Sequence, residues 1–294
     1  MPPGCVPTLC HVADAPATRR SLLTAGSLGL WAQATHAAEP LPAKTRILAV
    51  ALGSGSLHGH AHIGVVREFE QQGLKPDLIV GTSVGAIVGA LWAAGLSSHE
   101  IEDASKHLKF LNTVAFSWSR RGLFNNKGLQ NTIRTLTKNR PIETWPMRFA
   151  AVASDLASGE RVVITQGDAA VAVAASAALP VVCVPVQWQG RLLADGALTE
   201  PVPARTARQL GATRVVAVDI AYAPLAASVR NAADSAFQTM HILVKSLTAE
   251  QQHFADVSIR LELHPLMRDG KGYEPRLLEA GQAATRAAWP SIVA

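Results

Sequence analysis

From residue 46 onward the chain alternates short, uninterrupted apolar runs with longer stretches of helical period. Residues 46–52, 77–80, 148–154, 161–165, 184–188, 191–194, 214–219 and 257–263 read as strands. Helical patterns occupy 60–72, a stretch ending near Gly95, 168–178, 202–210, 232–254 and 275–288. Strands that are apolar throughout belong inside a sheet covered on both faces, and strand–helix alternation implies mostly parallel pairing. The expected class is α/β, with a mostly parallel central sheet flanked by helices on both faces. No linker interrupts the pattern, which predicts one domain over 38–294. Two uncharged runs mimic membrane spans. Residues 78–98 set Gly81, Gly85 and Gly89 four apart, but begin as a strand and turn at Gly81. Residues 169–186 contain Pro180 and Pro185, which would break a spanning helix. Both read as buried core.

The first 37 residues follow another rule. Arg19-Arg20 precedes an uncharged stretch from Leu22 to Ala34, and residues 34–37 end in small side chains suited to a signal peptidase. A twin-arginine-like export signal over 1–37 is expected, with the periplasm as destination; a Sec-type signal or a misassigned start is the other reading.

A chain of 294 residues, 48% hydrophobic and 17% charged, holds a sizeable core and is no disordered tail protein. Its net charge of +5 comes from scattered rather than clustered Lys and Arg, so no nucleic-acid partner is expected. Cys5, Cys10 and Cys183 provide neither a disulfide framework nor metal spacing, and no metal or cofactor is expected. Cys183, in Val-Val-Cys-Val-Pro, reads as a buried, inert thiol.

Gly81-Thr82-Ser83-Val84-Gly85 fits the G-x-S-x-G nucleophile elbow, with a strand before it and a helix after it. A turn that sharp strains the backbone at Ser83 and leaves no room for side chains at Gly81 and Gly85. The helix N-terminus behind Ser83 would favour developing negative charge. Taken alone, the match marks only a glycine-rich turn. Upstream, Gly53-Ser54-Gly55-Ser56-Leu57-His58-Gly59 follows the first strand, and its small residues let backbone amides crowd toward an oxyanion. A dinucleotide loop is the rival, but the second strand carries no acid at its end to hold a ribose. Asp195-Gly196-Ala197 ends another strand. The serine needs a base, which is either one of His241, His253 and His264 in a triad or Asp195 in a direct Ser–Asp dyad.

These three motifs, in this order, resemble the patatin-like phospholipase family. Ala61-His62-Ile63-Gly64-Val65, Ala153-Ser154-Asp155-Leu156 and Ala175-Ser176-Ala177-Ala178-Leu179-Pro180 resemble its bacterial branch. The resemblance implies a three-layer α/β sandwich and metal-free hydrolysis of acyl esters. Ser83 would be the nucleophile and Asp195 its base. The amides of Ser54, Gly55 and Ser56 would form the oxyanion hole, supported by Gly53, Gly59, Gly81, Gly85 and Gly196. Asp155 reads as a structural hydrogen-bonding residue.

The sequence departs from the family in one loop. Ser54 and Ser56 replace two glycines, and His58 replaces a basic residue, so less positive potential is expected there at pH 7. The expected function is a serine acyl hydrolase of lipase or phospholipase A type acting on a lipid or acyl-ester substrate. The alternative is a catalytically weak or inactive lipid-binding protein of the same fold. Phe110, Phe116, Trp118, Arg120, Arg121 and Phe124 mix aromatics and cations, as a flap touching a membrane surface would; an ordinary connection beside the site is the other reading.

Overall fold

The computed structural model describes residues 46–107, 115–119, 122–221, 229–267 and 272–294. The expected export signal over 1–37, with Cys5 and Cys10, lies outside the described residues, as do Phe110, Arg120, Arg121 and Phe116 and Trp118 beyond their backbone. In chain order the first elements are β1 (Leu48–Leu52), α1 (His60–Gln71), β2 (Leu78–Thr82), α2 (Val84–Ala93), α3 (Ser98–His107), β3 (Ala115–Ser119), β4 (Gly122–Asn125) and α4 (Lys127–Leu136). There follow β5 (Arg148–Asp155), β6 (Arg161–Ile164), α5 (Ala169–Ser176), β7 (Val186–Trp188), β8 (Arg191–Asp195) and α6 (Ala204–Gln209). The last are β9 (Arg214–Asp219), α7 (Ala232–Gln251), β10 (Val257–Arg260) and α8 (Glu274–Val293).

An 8-stranded sheet is ordered β10-β9-β1-β2-β5-β8-β7, with β6 on β5. Pairing is parallel from β10 through β5 and antiparallel at β5–β6, β5–β8 and β7–β8. The sheet is therefore mixed, with β6 and β8 reversed. Successive side chains of a strand point to opposite faces, and the inner strands serve two cores in that way. Val50, Leu52 and Ile79 join a core with Ile63 of α1, Leu91 of α2 and Leu277 of α8. Ala49, Ala51, Leu78 and Val80 meet Ala204 and Ala207 of α6 on the other face. Helices on both sides complete the three layers.

Helix α1 leaves the glycine-rich loop and packs backbone to backbone on α8. A Cβ on Gly64 would lie 2.0 Å from the Leu278 carbonyl oxygen, and one on Gly281 would lie 2.0 Å from that of Ala61. Only glycine permits this approach. Phe69 stands edge-on between Trp92 and Trp289, with ring centroids 5.4 and 5.1 Å away. Buried Glu68 accepts hydrogen bonds from Gln72, Gln282 and Arg286, the last at 2.8 Å, which satisfies its carboxylate.

The structure adds α3, α4 and the β3–β4 hairpin, for which no element is expected above. It also carries α8 through Pro290 to Val293, past the expected end at 288. Among the described residues no helix is long and apolar enough to cross a membrane. Cys183 is buried and unpaired, and burial pushes its thiol up to about 11, so it resists ionisation.

Candidate active site

The reversed strand β8 builds the site. Along one edge of β5, Gly81 and Thr82 of β2 pair with Ala151 and Val152, while the opposite edge pairs with β6. On the next residue, Ala153, the first edge passes to β8, whose partner there is Asp195. Strands β2 and β8 therefore approach end to end on one edge, β2 running in and β8 running in against it. Ser83 and Asp195, 112 residues apart in sequence, meet at that junction: Ser83 Oγ–H donates to Asp195 Oδ2 at 2.7 Å.

Ser83 holds φ 56° and ψ −123°, a conformation that side-chain-bearing residues rarely adopt. Its neighbours explain how the strain is held. A Cβ on Gly81 would sit 2.4 Å from Ala86 Cα, and one on Gly85 would sit 2.1 Å from the Leu52 carbonyl oxygen. Ser83 N–H donates to Ser176 Oγ at 2.9 Å, and Ser176 Oγ–H donates to the Val152 carbonyl at 2.6 Å. Thr82 Oγ–H is anchored on the Glu200 carbonyl at 2.9 Å. Helix α2 begins directly after Ser83 with no side-chain cap, which puts Ser83 at the positive end of the helix dipole.

Asp195 is 1% exposed. Its Oδ1 accepts from Ala197 N–H at 2.9 Å, and its own N–H donates to the Ala178 carbonyl at 2.9 Å. A Cβ on Gly196 would lie 2.1 Å from the Val152 carbonyl oxygen, so the turn after Asp195 presses onto β5. Burial pushes the Asp195 carboxyl up to about 6, while the hydrogen bonds from Ala197 and Ser83 pull it back toward the ionised form. Near neutral pH the group is ionised yet basic enough to take a proton from the bonded hydroxyl.

The glycine-rich loop is rooted by three bonds. Gly53 N–H donates to the Val218 carbonyl at 3.0 Å, Ser54 N–H to the Pro201 carbonyl at 2.8 Å, and His62 Nε2–H to the Gly53 carbonyl at 2.8 Å. Ser54 is buried with its amide committed, which corrects the expectation that this amide points at an oxyanion. Long-range pairing with Pro201 takes it away. The amides of Gly55 and Ser56 have no acceptor among the described residues. Ser56 holds φ 48°, and a Cβ on Gly55 would press within 2.5 Å of Ile220. Gly59 passes Val84, where a Cβ would come within 2.5 Å of Cγ2, which packs the loop against the start of α2. His58 lies half-buried in the short 3₁₀ turn between them.

Two residues quoted above within family-like motifs, but without a role, prove to be positioning residues. Ser176 is a single hydroxyl in an alanine-rich run, and His62 is fully buried on α1. Burial pushes His62 down to about 4, so the ring is neutral and donates through Nε2. The triad candidates lie elsewhere: His241 is exposed on α7, His253 stacks on Phe254 at 4.0 Å, and His264 begins a 3₁₀ turn. Asp155 accepts from Ala157 N–H at 2.9 Å and faces Arg191 at 3.7 Å, a turn-forming role. Among the described residues, no group of three or more His, Cys, Asp or Glu side chains is placed to hold a metal.

The profile of the patatin-like phospholipase family matches residues 50–208, which contain the loop, the elbow and the Asp-Gly turn. An uncharacterised NTE family protein of Mycobacterium bovis is 34% identical over 191 residues, 62% of this chain and 53% of that protein. Patatin-like phospholipase domain-containing protein 7 of Rattus norvegicus is 31% identical over 185 residues, 59% of this chain and 13% of that protein. The chain thus spans about half the length of the mycobacterial relative and far less of the rat one. VipD from Legionella pneumophila shares the fold with a TM-score of 0.55 at 14% identity, over 85% of this chain and 67% of that one. With more than half of its 294 residues inside the profile, the chain belongs to the patatin-like phospholipase family.

Proposed function

We propose that the protein is a serine acyl hydrolase that cleaves acyl esters of lipids through Ser83 and Asp195. The observation that carries this reading is the 2.7 Å bond from the strained Ser83 hydroxyl to a buried carboxylate. Ser83 Oγ attacks the ester carbonyl while Asp195 Oδ2 takes the hydroxyl proton. The carbonyl oxygen gathers negative charge, which the free amides of Gly55 and Ser56 and the N-terminus of α2 stabilise. Asp195 returns the proton to the departing alcohol, leaving an acyl group on Ser83. Water enters, gives a proton to Asp195 and releases the acid, and the proton returns to Ser83.

The test uses purified protein and p-nitrophenyl esters. Ser83→Ala and Asp195→Asn are both expected to abolish hydrolysis while remaining folded, and a fluorophosphonate is expected to label wild type at Ser83. A folded wild type that neither turns over esters nor takes the label refutes the reading. The lipid-binding alternative would then lead, and His58→Arg would ask whether the altered loop silences the site. We also infer export to the periplasm, which predicts that a periplasmic fraction yields a chain beginning at residue 38. Contact with a membrane surface is part of the same proposal, and sedimentation with lipid vesicles tests it.

A further inference from the structure

A groove of about 220 Å³ runs beside α7. Phe237, Met240 and Leu243 line its helix side, and Pro180, Val181 and Leu198 line the other. The second wall grows out of the reacting groups. Leu198 closes the 3₁₀ turn capped by the Asp195 side chain. Pro180 and Val181 follow Ala178, whose carbonyl holds Asp195 N–H, and Ser176, whose hydroxyl holds Ser83 N–H. Val181 keeps φ 70°, an outlier for a β-branched residue, beside a bond from Cys183 N–H to the Leu179 carbonyl at 2.8 Å. Strain of this kind persists where the surroundings fix it, commonly at a working site. The rim stays open, with Val181 56% and Leu243 41% exposed.

We propose that this groove takes the acyl chain of the ester cleaved at Ser83, and that it fits a chain of medium length. The proposal rests on the hydrolase reading above. Among the described residues no charged side chain lines the groove, and Thr239 alone offers a hydroxyl. A peptide seated there would bury amides without partners, whereas an alkyl chain has none to satisfy. From Ala236 to Leu243 the helix rises about 10 Å, the reach of about eight extended carbons.

The experiment measures kcat/KM of the full chain on p-nitrophenyl esters from acetate to dodecanoate, each below its critical micelle concentration, with fluorophosphonate labelling of Ser83 in parallel. The expected profile rises about two- to fourfold per methylene, as for partial to full burial of each CH₂, and levels near about eight carbons. Met240→Trp and Leu243→Trp, each partly exposed, should fill the groove and lower the octanoate-to-acetate ratio about tenfold or more, the loss of two to three buried methylenes. A profile flat in chain length, one still climbing at dodecanoate, or a ratio unmoved by both variants overturns the groove while Ser83 labelling leaves the hydrolase standing. Absent labelling with no acetate turnover overturns both.

Discussion

Replacing Asp195 with asparagine should make the protein more stable at the pH where the wild type works. The carboxyl is buried, and burial raises it to about 6 from an ordinary 3.8. A raised carboxyl means that the folded state holds the proton more tightly than the unfolded chain, so ionisation costs folding free energy. That cost is below about 1 kcal/mol near pH 4, grows mainly between about 4 and 6, and is complete above about 7. A shift of about two units at about 1.36 kcal/mol each puts it on the order of 3 kcal/mol. The amide side chain keeps the geometry: its oxygen can accept from Ala197 N–H and its NH₂ can donate to Ser83 Oγ. Thermal unfolding of both proteins at pH 4 and pH 8 is the assay. At about 2–4 °C per kcal/mol for a chain of this size, Asp195→Asn should melt about 6–12 °C higher at pH 8, with most of that gain gone at pH 4. Equal gains at both values, or a variant that melts lower at pH 8, would refute the argument that burial of this charge is what the fold resists.

The same carboxyl sets the expected pH profile: kcat/KM should fall about tenfold per pH unit below about 6, and a limb centred near 4 would refute the rise that burial imposes on the carboxyl. Ser176→Ala removes the acceptor of Ser83 N–H, and should cost about 1–2 kcal/mol in urea unfolding and lower kcat more than it changes KM. His62→Ala leaves the Gly53 carbonyl without its donor and opens a void, with about 2–4 kcal/mol expected by the same measurement. Gly64→Ala drives a Cβ into the Leu278 carbonyl and should destabilise by about 3 kcal/mol or more, read as a lowered melting temperature.

What can be read from the sequence divides along physical lines. Strands β1 and β2 announce themselves because both faces are buried, so the runs 48–52 and 78–80 are apolar throughout. The elbow is legible because its demands are local: small residues at 81 and 85, a strand before and a helix after. The direction of β8 is hidden, since an apolar run looks alike whichever way it travels, and that direction is what brings Asp195 to Ser83. The bond between them can be chosen over a histidine triad only by likeness to a family, because no periodicity links residues 112 apart. Ser54 illustrates the opposite failure. Its motif position suggests a free amide, and the carbonyl of Pro201, far along the chain, engages it. Ser176 and His62 sit in runs whose apolar character masks a single polar contact each.

The contact of α1 with α8 separates what is inherited together from what must fold together. The family profile ends at residue 208, yet the helix leaving the glycine-rich loop leans on residues 274–293 through paired glycines and the Glu68–Arg286 contact. A fragment trimmed to the profile would expose the Glu68 carboxylate and the apolar flank of α1. The loop amides would then hang from a helix with no backing. Any minimal expression unit therefore needs the distal helix, and sequence changes there can retune the loop without touching a motif residue.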